Sequence, residues 1–360
     1  MYTILFVVPD LQCHGYAKQA ALLASALPRD QFAVHVGVLS EDGVFSEGLK
    51  QAGLPVHFLG SHRSWLHAFF ALRCLLRTLT PDLVQSWSSA VCWAACAQRA
   101  MLKRRLLPLI AAEPPLHGFW LRQAARAVVH TQYDAGKTRH PQVRIIPPAV
   151  EENPAPLQRQ AFLRECGLPE DARFILCAGA IEQDHGFREA VWIFDILKYV
   201  YPNLWLLLAG NGPQRQAVET FSRTLCSQDN RVKFLGVRND IPQLVELADL
   251  AWICGRQGGR NFALEALAAG CPVVAPRLPK FVEFLGNREA GLLVASAAAS
   301  DFAQASRRIL SDPVLRSTLG EAGRTRAACF GLSCIVKQWL ALYAEMISPA
   351  GCNSSPLLSP

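Results

Sequence analysis

Short continuous apolar runs alternate along the chain with longer stretches in which apolar residues recur three and four positions apart. Runs of Val, Ile and Leu suit strands buried on both faces, and the three-to-four spacing suits the helices that cover them. In the first half this pattern predicts strands over Thr3–Val8, Ala33–Val38, Val56–Phe58, Leu83–Gln85, Leu107–Ala111, Ala127–His130 and Val143–Ile146. Helices are predicted over Tyr16–Leu27, Gly43–Ala52, Leu66–Leu79 and Ala90–Leu102. Pro147 and Pro148 stop the series, and residues 151–172 read as Pro-rich chain with one short helix near Leu157–Cys166. A second series starts at Arg173: FILCAGAI, a helix over Phe187–Tyr201, LWLLLAG, a helix over Gln214–Cys226, VKFLG, a helix over Ile241–Leu247, then DLAWIC. Two successive βα series predict an α/β protein of two doubly wound domains, with ligand at the strand C-termini.

The segment that follows, RQGGRNFALEALAAGCPVVAP over residues 256–276, carries the most chemistry. Gly258 and Gly259 lack a Cβ, so backbone there can approach a ligand closely. The helix predicted near Asn261–Ala269 points its free N–H groups back at that loop, and a helix N-terminus holds anions. Glu265 lies within the helix, where a carboxylate can accept hydrogen bonds from sugar hydroxyls. Gly270 ends the helix and Val273–Ala275 begin a buried strand. Together these features describe a nucleotide-diphosphate site.

Composition bounds the rest. A chain of 360 residues, 51% of them hydrophobic, has material for two cores. The opening MYTILFVVPD reads as a first strand, since a secretory signal would carry a basic start and a longer apolar region. No apolar stretch reaches the ~20 residues of a membrane span. The 12 cysteines follow no zinc spacing and read as reduced thiols in the cytoplasm. Formal net charge is +7, with 17 Lys+Arg against 11 Asp+Glu in residues 1–165 and 19 against 18 in the remainder. His62–His140 hold 11 basic residues and 3 acidic ones. Two pieces there, 64–79 and 97–110, are both apolar and basic. In the first, Arg73 and Arg77 share one helix face while Phe69, Leu72, Leu76 and Leu79 are available to the other. Such a helix either packs on a sheet with a solvated basic face or touches anionic lipid peripherally, at the inner face of the plasma membrane. No base-stacking platform accompanies the charge, which argues against nucleic acid.

Six segments in order resemble one family. They are DLQCHGYAKQAALLASAL, PDLVQSWSSAVCWAACAQRA, AVVHTQYDAGKTRHPQVRIIPPAVEE, LLLAGNGPQRQAVE with VKFLGVRNDIPQLVELADLAWI, ALEALAAGCPVVAP, and EAGRTRAACFGLSCIVKQWLALYAEMI. Over residues 1–347 the chain is similar to the GT-B glycosyltransferases of family 4, the retaining group 1 enzymes. The resemblance implies two Rossmann-like domains facing a central cleft. Residues 1–150 would bind acceptor, 151–172 would link, and 173–331 would bind the nucleotide-sugar. Residues 332–347 would form a helix crossing back to the first domain, and 348–360 a tail. It implies transfer of a sugar, with retention, from a UDP-, GDP- or ADP-sugar to a glycan or lipid acceptor, in cell-envelope or exopolysaccharide synthesis. It implies no cofactor and no metal, since helix N-termini and basic side chains neutralise the diphosphate. The sequence has no Asp-x-Asp pair.

The resemblance carries over unevenly at the site. The family's two acidic residues, eight apart, fall on Gln257 and Glu265, the catalytic candidates. Glu265 keeps the position that holds ribose hydroxyls, whereas Gln257 replaces a Glu beside the donor sugar and cannot stabilise positive charge. Donor contacts are implied for Gly15, Lys18, His185, Gly212, Val237, Gly258, Gly259, Arg260, Asn261 and Phe262. The family's Arg and Lys near the diphosphate are Ala180 and His185 here, leaving His185, Arg188 or Arg260 as replacement cations. His14 stands in place of the first of two loop glycines, where it either binds or occludes. His14, Trp87 and Glu113 are acceptor candidates, Trp87 being either a sugar platform or a core aromatic. Asp10 is either a cap or a site residue. Two competing readings remain: a non-catalytic GT-B subunit that binds glycan or a partner, and a nucleotide-sugar epimerase, whose expected acidic and His residues are lacking.

Overall fold

The computed structural model describes residues 1–40, 42–60, 65–88, 107–111, 124–151, 156–226, 231–287, 289–295 and 298–347. The predicted helix over Ala90–Leu102, most of the basic piece 97–110, Glu113 and the tail 348–360 lie outside them.

The chain divides into two compact units. The first holds Met1–Gln12, Tyr16–Pro148 and the chain from Leu332 onward. Its seven-stranded sheet is built from β1 (Tyr2–Val8), β2 (Phe32–Val38), β3 (Val56–Phe58), β4 (Leu83–Ser86), β5 (Leu107–Ala111), β6 (Arg126–Val129) and β7 (Val143–Ile145). The spatial order is β3-β2-β1-β4-β5-β6-β7 and every pairing is parallel. Each matches a predicted apolar run to within a residue or so. Central strand β1 is fully buried from Ile4 to Val8, as a strand covered on both faces should be. The helix Trp65–Leu79 lays Leu72 and Leu76 on Leu5, Val7 and Val84. The C-terminal helix Leu332–Ile347 packs in this unit as well. Its Trp339 ring lies 5.8 Å from that of Trp87, and the Tyr343 hydroxyl donates to Gln85 Oε1. Burial pushes the Tyr343 phenol well above its usual range, which keeps it a neutral donor.

The second unit holds Cys13–Gly15 and Ala149–Gly331. Its strands are β8 (Arg173–Ala178), β9 (Leu204–Ala209), β10 (Val232–Gly236), β11 (Leu250–Trp252), β12 (Val273–Pro276) and β13 (Leu292–Val294), in the order β10-β9-β8-β11-β12-β13. Alternate residues feed opposite faces, the period of two of a strand. Leu176, Leu207, Ala251 and Val273 meet the helix Arg260–Ala269 through Ala263, Leu264 and Leu267. Ile175, Leu206, Leu208, Trp252 and Val274 meet the helices Phe187–Leu197 and Ala299–Ser311 through Phe194, Phe302 and Ile309. Each fully buried Leu or Phe contributes about 1.5–3 kcal/mol. Strand β13 and the helices Gln132–Lys137, Pro279–Leu285, Ala299–Ser311 and Pro313–Ala327 have no counterpart among the predicted elements. The last of these is started by the Asp312 side chain, which accepts from Leu315 N at 3.0 Å, with Pro313 in the first turn.

Candidate functional site

In both sheets the strand order reverses beside the first strand: β1 lies between β2 and β4, and β8 between β9 and β11. The loops leaving such a pair of strands in opposite directions open a crevice at their C-terminal ends. In the second unit the loops after β8, β9 and β11 meet there. Ile181 N donates to Asn211 O at 2.9 Å and Gln214 N to Ile181 O at 3.0 Å. A Cβ on Gly212 would stand 2.5 Å from Ile181 O, so the β8 and β9 loops close up only because that position is glycine. The β11 loop approaches from the other side, with Gln257 N donating to Asp184 O at 3.0 Å. A Cβ on Gly255 would fall 2.3 Å from the His185 carbonyl carbon.

The chain then turns into the helix Arg260–Ala269 through two left-handed glycines, Gly258 at φ 63° and Gly259 at φ 76°. A β-carbon at 259 would press to 2.6 Å from Ile253 Cγ2. Gly270, at φ 71°, caps the far end. Glu265 is buried on this helix at 6% exposure, Arg260 and Phe262 are buried beside it, and Asn261 is half-buried. Gln257 is exposed at the loop's tip, and Val237 is half-buried just past β10.

The His185 ring lies against Gly258: a Cβ there would meet His185 Cε1 at 3.1 Å. His185 Nδ1 is 2.7 Å from Ala180 O, which fixes that nitrogen as a donor, since a carbonyl only accepts. Nε2 lies 3.7 Å from Glu182 Oε2. Arg188, one of the candidate replacement cations, is placed elsewhere: its guanidinium stacks over the Phe221 ring at 4.6 Å. A cation absent from the sequence reading takes a place in the loop. Lys280, 7% exposed in the first turn of Pro279–Leu285, donates from Nζ to Gly258 O at 3.1 Å. Its only sequence signal is a Lys after Leu278–Pro279, which marks a helix start but not what that start faces. Glu182, in the loop after β8, carries no sequence signal either, because its neighbours His14 and His185 are set by how the loops pack.

Within Cys13–Gly15, grouped with the second unit, His14 Nε2 lies 3.3 Å from Glu182 Oε1. Asn261 Nδ2 donates to Gly15 O at 2.9 Å. Lys18 is half-buried on the helix Gly15–Ala26. Asp10 accepts from Gln12 N at 2.9 Å and from the Tyr16 hydroxyl at 2.6 Å, so it shapes the loop after β1. Trp87 corrects the sequence expectation. It is 2% exposed, edge-on to Phe6 at 5.7 Å and packed on Trp339, so neither ring face is open to a sugar and it is a core aromatic of the first unit. Glu113 lies outside the described residues. Among the described residues, no group of three or more His, Cys, Asp or Glu could hold a metal ion, and no helix is long and apolar enough to cross a membrane.

Residues 158–326 match the family model described as glycosyl transferases group 1. Among curated proteins, the chain is 25% identical over 191 residues to the putative glycosyltransferase EpsD of Bacillus subtilis (strain 168), covering 53% of this chain and 50% of that protein. It is 30% identical over 179 residues to the lipopolysaccharide core biosynthesis glycosyltransferase LpsE of Rhizobium meliloti (strain 1021), covering 49% and 51%. The matches thus span about half the length of these relatives. Among solved structures, Anabaena Alr3699/HepE in complex with UDP and glucose superposes with a TM-score of 0.80 at 19% identity, over 96% of this chain and 100% of that one. WaaG, a glycosyltransferase involved in lipopolysaccharide biosynthesis, superposes at 0.74 with 17% identity, over 96% and 100%. The fold is therefore GT-B, with a parallel α/β sheet in each unit.

Proposed function

We propose that this chain is a retaining glycosyltransferase, because residues 158–326 match the family model of the glycosyl transferases group 1. It moves a sugar from a nucleotide-sugar donor to a glycan or lipid-linked acceptor in the synthesis of a cell-envelope or extracellular polysaccharide. The observation that carries the reading is the left-handed pair Gly258–Gly259 turning into a ten-residue helix with Glu265 buried on it. The names of EpsD and LpsE support the polysaccharide setting.

In this reading the donor diphosphate lies at the N-terminus of Arg260–Ala269, where unsatisfied N–H groups and the helix dipole favour the charge that grows on the leaving group. Lys280 holds the Gly258 carbonyl, so the loop keeps its backbone aimed at the phosphates. Glu265 accepts from the ribose hydroxyls. Gly212 and Val237 border the base and sugar, and Asn261 and Phe262 line the first helical turn. Arg260 supplies a cation at that helix N-terminus where the family pattern has lost its Arg and Lys, and the reading needs no metal or other cofactor. Gln257 offers neutral hydrogen bonds to the donor sugar, and Gly15 and His14 flank it. The test is release of nucleotide from a panel of UDP-, GDP- and ADP-sugars, with UDP-sugars first because HepE was solved with UDP and glucose. Release from at least one donor is expected. No release and no thermal stabilisation by any nucleotide would leave a non-catalytic binding subunit as the function.

We also infer peripheral contact with anionic membrane through the helix Trp65–Leu79. Its Leu72 and Leu76 are buried against the sheet, and Leu66, Phe70 and Arg77 are exposed on the other side. Each basic residue near an anionic surface adds about 1 kcal/mol. More sedimentation with phosphatidylglycerol vesicles than with phosphatidylcholine vesicles at low salt is expected, and Arg73→Glu with Arg77→Glu should remove the difference.

A further inference from the structure

On the face of the second sheet opposite the helix Arg260–Ala269, the helix Phe187–Leu197 packs between Arg215–Leu225 and Ala299–Ser311. Arg188, Glu189, Trp192 and Ile193 share one stripe of that helix at the i, i+1, i+4, i+5 spacing. With Ala299 they line a cavity of about 480 Å³, inside the ~300–1,000 Å³ range of small-molecule sites. Trp192 is 57% exposed although it is the largest side chain of the stripe. Its position is braced: the indole lies 6.4 Å from the Phe221 ring with the planes at 32°, and Arg188 stacks on that same ring at 4.6 Å. An apolar track continues from it, with Ile196, Tyr199 and Val200 exposed at the end of the helix.

We propose that this face is a saccharide-binding site, with Trp192 as the stacking platform and Arg188 and Glu189 as hydrogen-bonding partners for hydroxyls. The lining selects that chemistry. A purely apolar occupant would strip water from Arg188 and Glu189 without replacing their hydrogen bonds, at a cost. A polyanion would meet Glu189. A sugar ring has an apolar C–H face for the indole and an equatorial rim of donors and acceptors for a guanidinium and a carboxylate. A braced aromatic loses little conformational entropy on binding. The exposed Ile196, Tyr199 and Val200 extend the platform beyond one ring, which fits an oligosaccharide chain. The site uses none of the donor loops, so it stands whether or not the chain transfers sugar.

The experiment is binding of the labelled full chain to an array of bacterial polysaccharide fragments, followed by calorimetry on the best oligosaccharide. Trp192→Ala should weaken that binding at least tenfold and Glu189→Ala measurably. Thermal stabilisation by UDP, taken in parallel, should be unchanged in both variants and reports that the donor side is intact. Trp192→Phe should retain most of the affinity. Absence of binding to every glycan, or binding that survives Trp192→Ala, overturns the proposal. So does a Trp192→Ala variant whose sole defect is loss of self-association in light scattering or of sedimentation with phosphatidylglycerol vesicles, which would assign the face to a second copy or to lipid.

Discussion

The Glu265 carboxylate is buried on the helix Arg260–Ala269, and the proposed function gives it the ribose hydroxyls. Glu265→Ala removes a charged hydrogen-bond acceptor, and nucleotide affinity measured by calorimetry should fall by roughly 1.5–3 kcal/mol. Unchanged affinity would mean that the ribose sits elsewhere. Lys280 acts one step back, through the Gly258 carbonyl. Lys280→Met keeps the apolar stem and deletes the ammonium, so it should weaken diphosphate binding while thermal unfolding reports any loss of fold. The register of Glu265 was legible in the sequence, because a motif fixes it eight residues after Gln257. Lys280 was not, because its partner is defined by the way two separate loops pack. The sequence allows Trp87 to be either core or platform, and its burial against Trp339, far along the chain, makes it core.

At the scale of elements, the turn into the site helix depends on backbone that only glycine adopts without strain. Gly259→Ala combines a φ of 76° with a Cβ 2.6 Å from Ile253 Cγ2. It should cost about 1–3 kcal/mol of stability in denaturant melts and displace the helix N-terminus. In the first sheet, neighbouring strands β2 and β3 bring His35 Nδ1 to 3.1 Å from His57 Nε2, with the rings stacked. Burial, and for His35 the repulsion from His57, lower both imidazoles below their ordinary 6.5. A depressed histidine is neutral in the folded state and takes up a proton more readily when unfolded. The contribution is thus complete above pH 6.5 and is lost as pH falls from there through the folded values. Unfolding midpoints should drop between pH 7 and 5, and His57→Gln should flatten that slope. An equal slope in the variant would remove the pair from the explanation. The strands themselves were readable from apolar runs. The histidine pairing was not, since it needs the register of β2 on β3.

Across the molecule, long-range ties hold together what the chain order separates. Asp249, 4% exposed, accepts from Phe174 N at 3.0 Å, from Arg316 Nη1 at 2.9 Å and from Arg173 Nε at 3.3 Å. It joins β8 and β11 to the helix Pro313–Ala327. Asp249→Ala strands the buried Phe174 N–H and leaves the partly exposed Arg173 and Arg316 without their carboxylate, and it should destabilise the second unit by about 1–3 kcal/mol, read as an earlier transition in chemical unfolding. A loss below 1 kcal/mol would show the arginines are solvated instead. By itself the sequence determined the fold class. The alternation of apolar runs with three-to-four spaced stretches is a local property, and parallel sheets follow from it because such strands are buried on both faces. The glycines at 258, 259 and 270 were equally legible, since backbone preference resides in the residue. The tertiary structure alone decided which side chains share a place: Lys280 on Gly258, Arg188 on Phe221 rather than near Ala180, Trp87 in the core and Trp192 at the surface. Hydrophobic periodicity sorts residues into inside and outside of their own element. Only packing between elements distant in sequence assigns each one a partner, and those partners set the chemistry of the site.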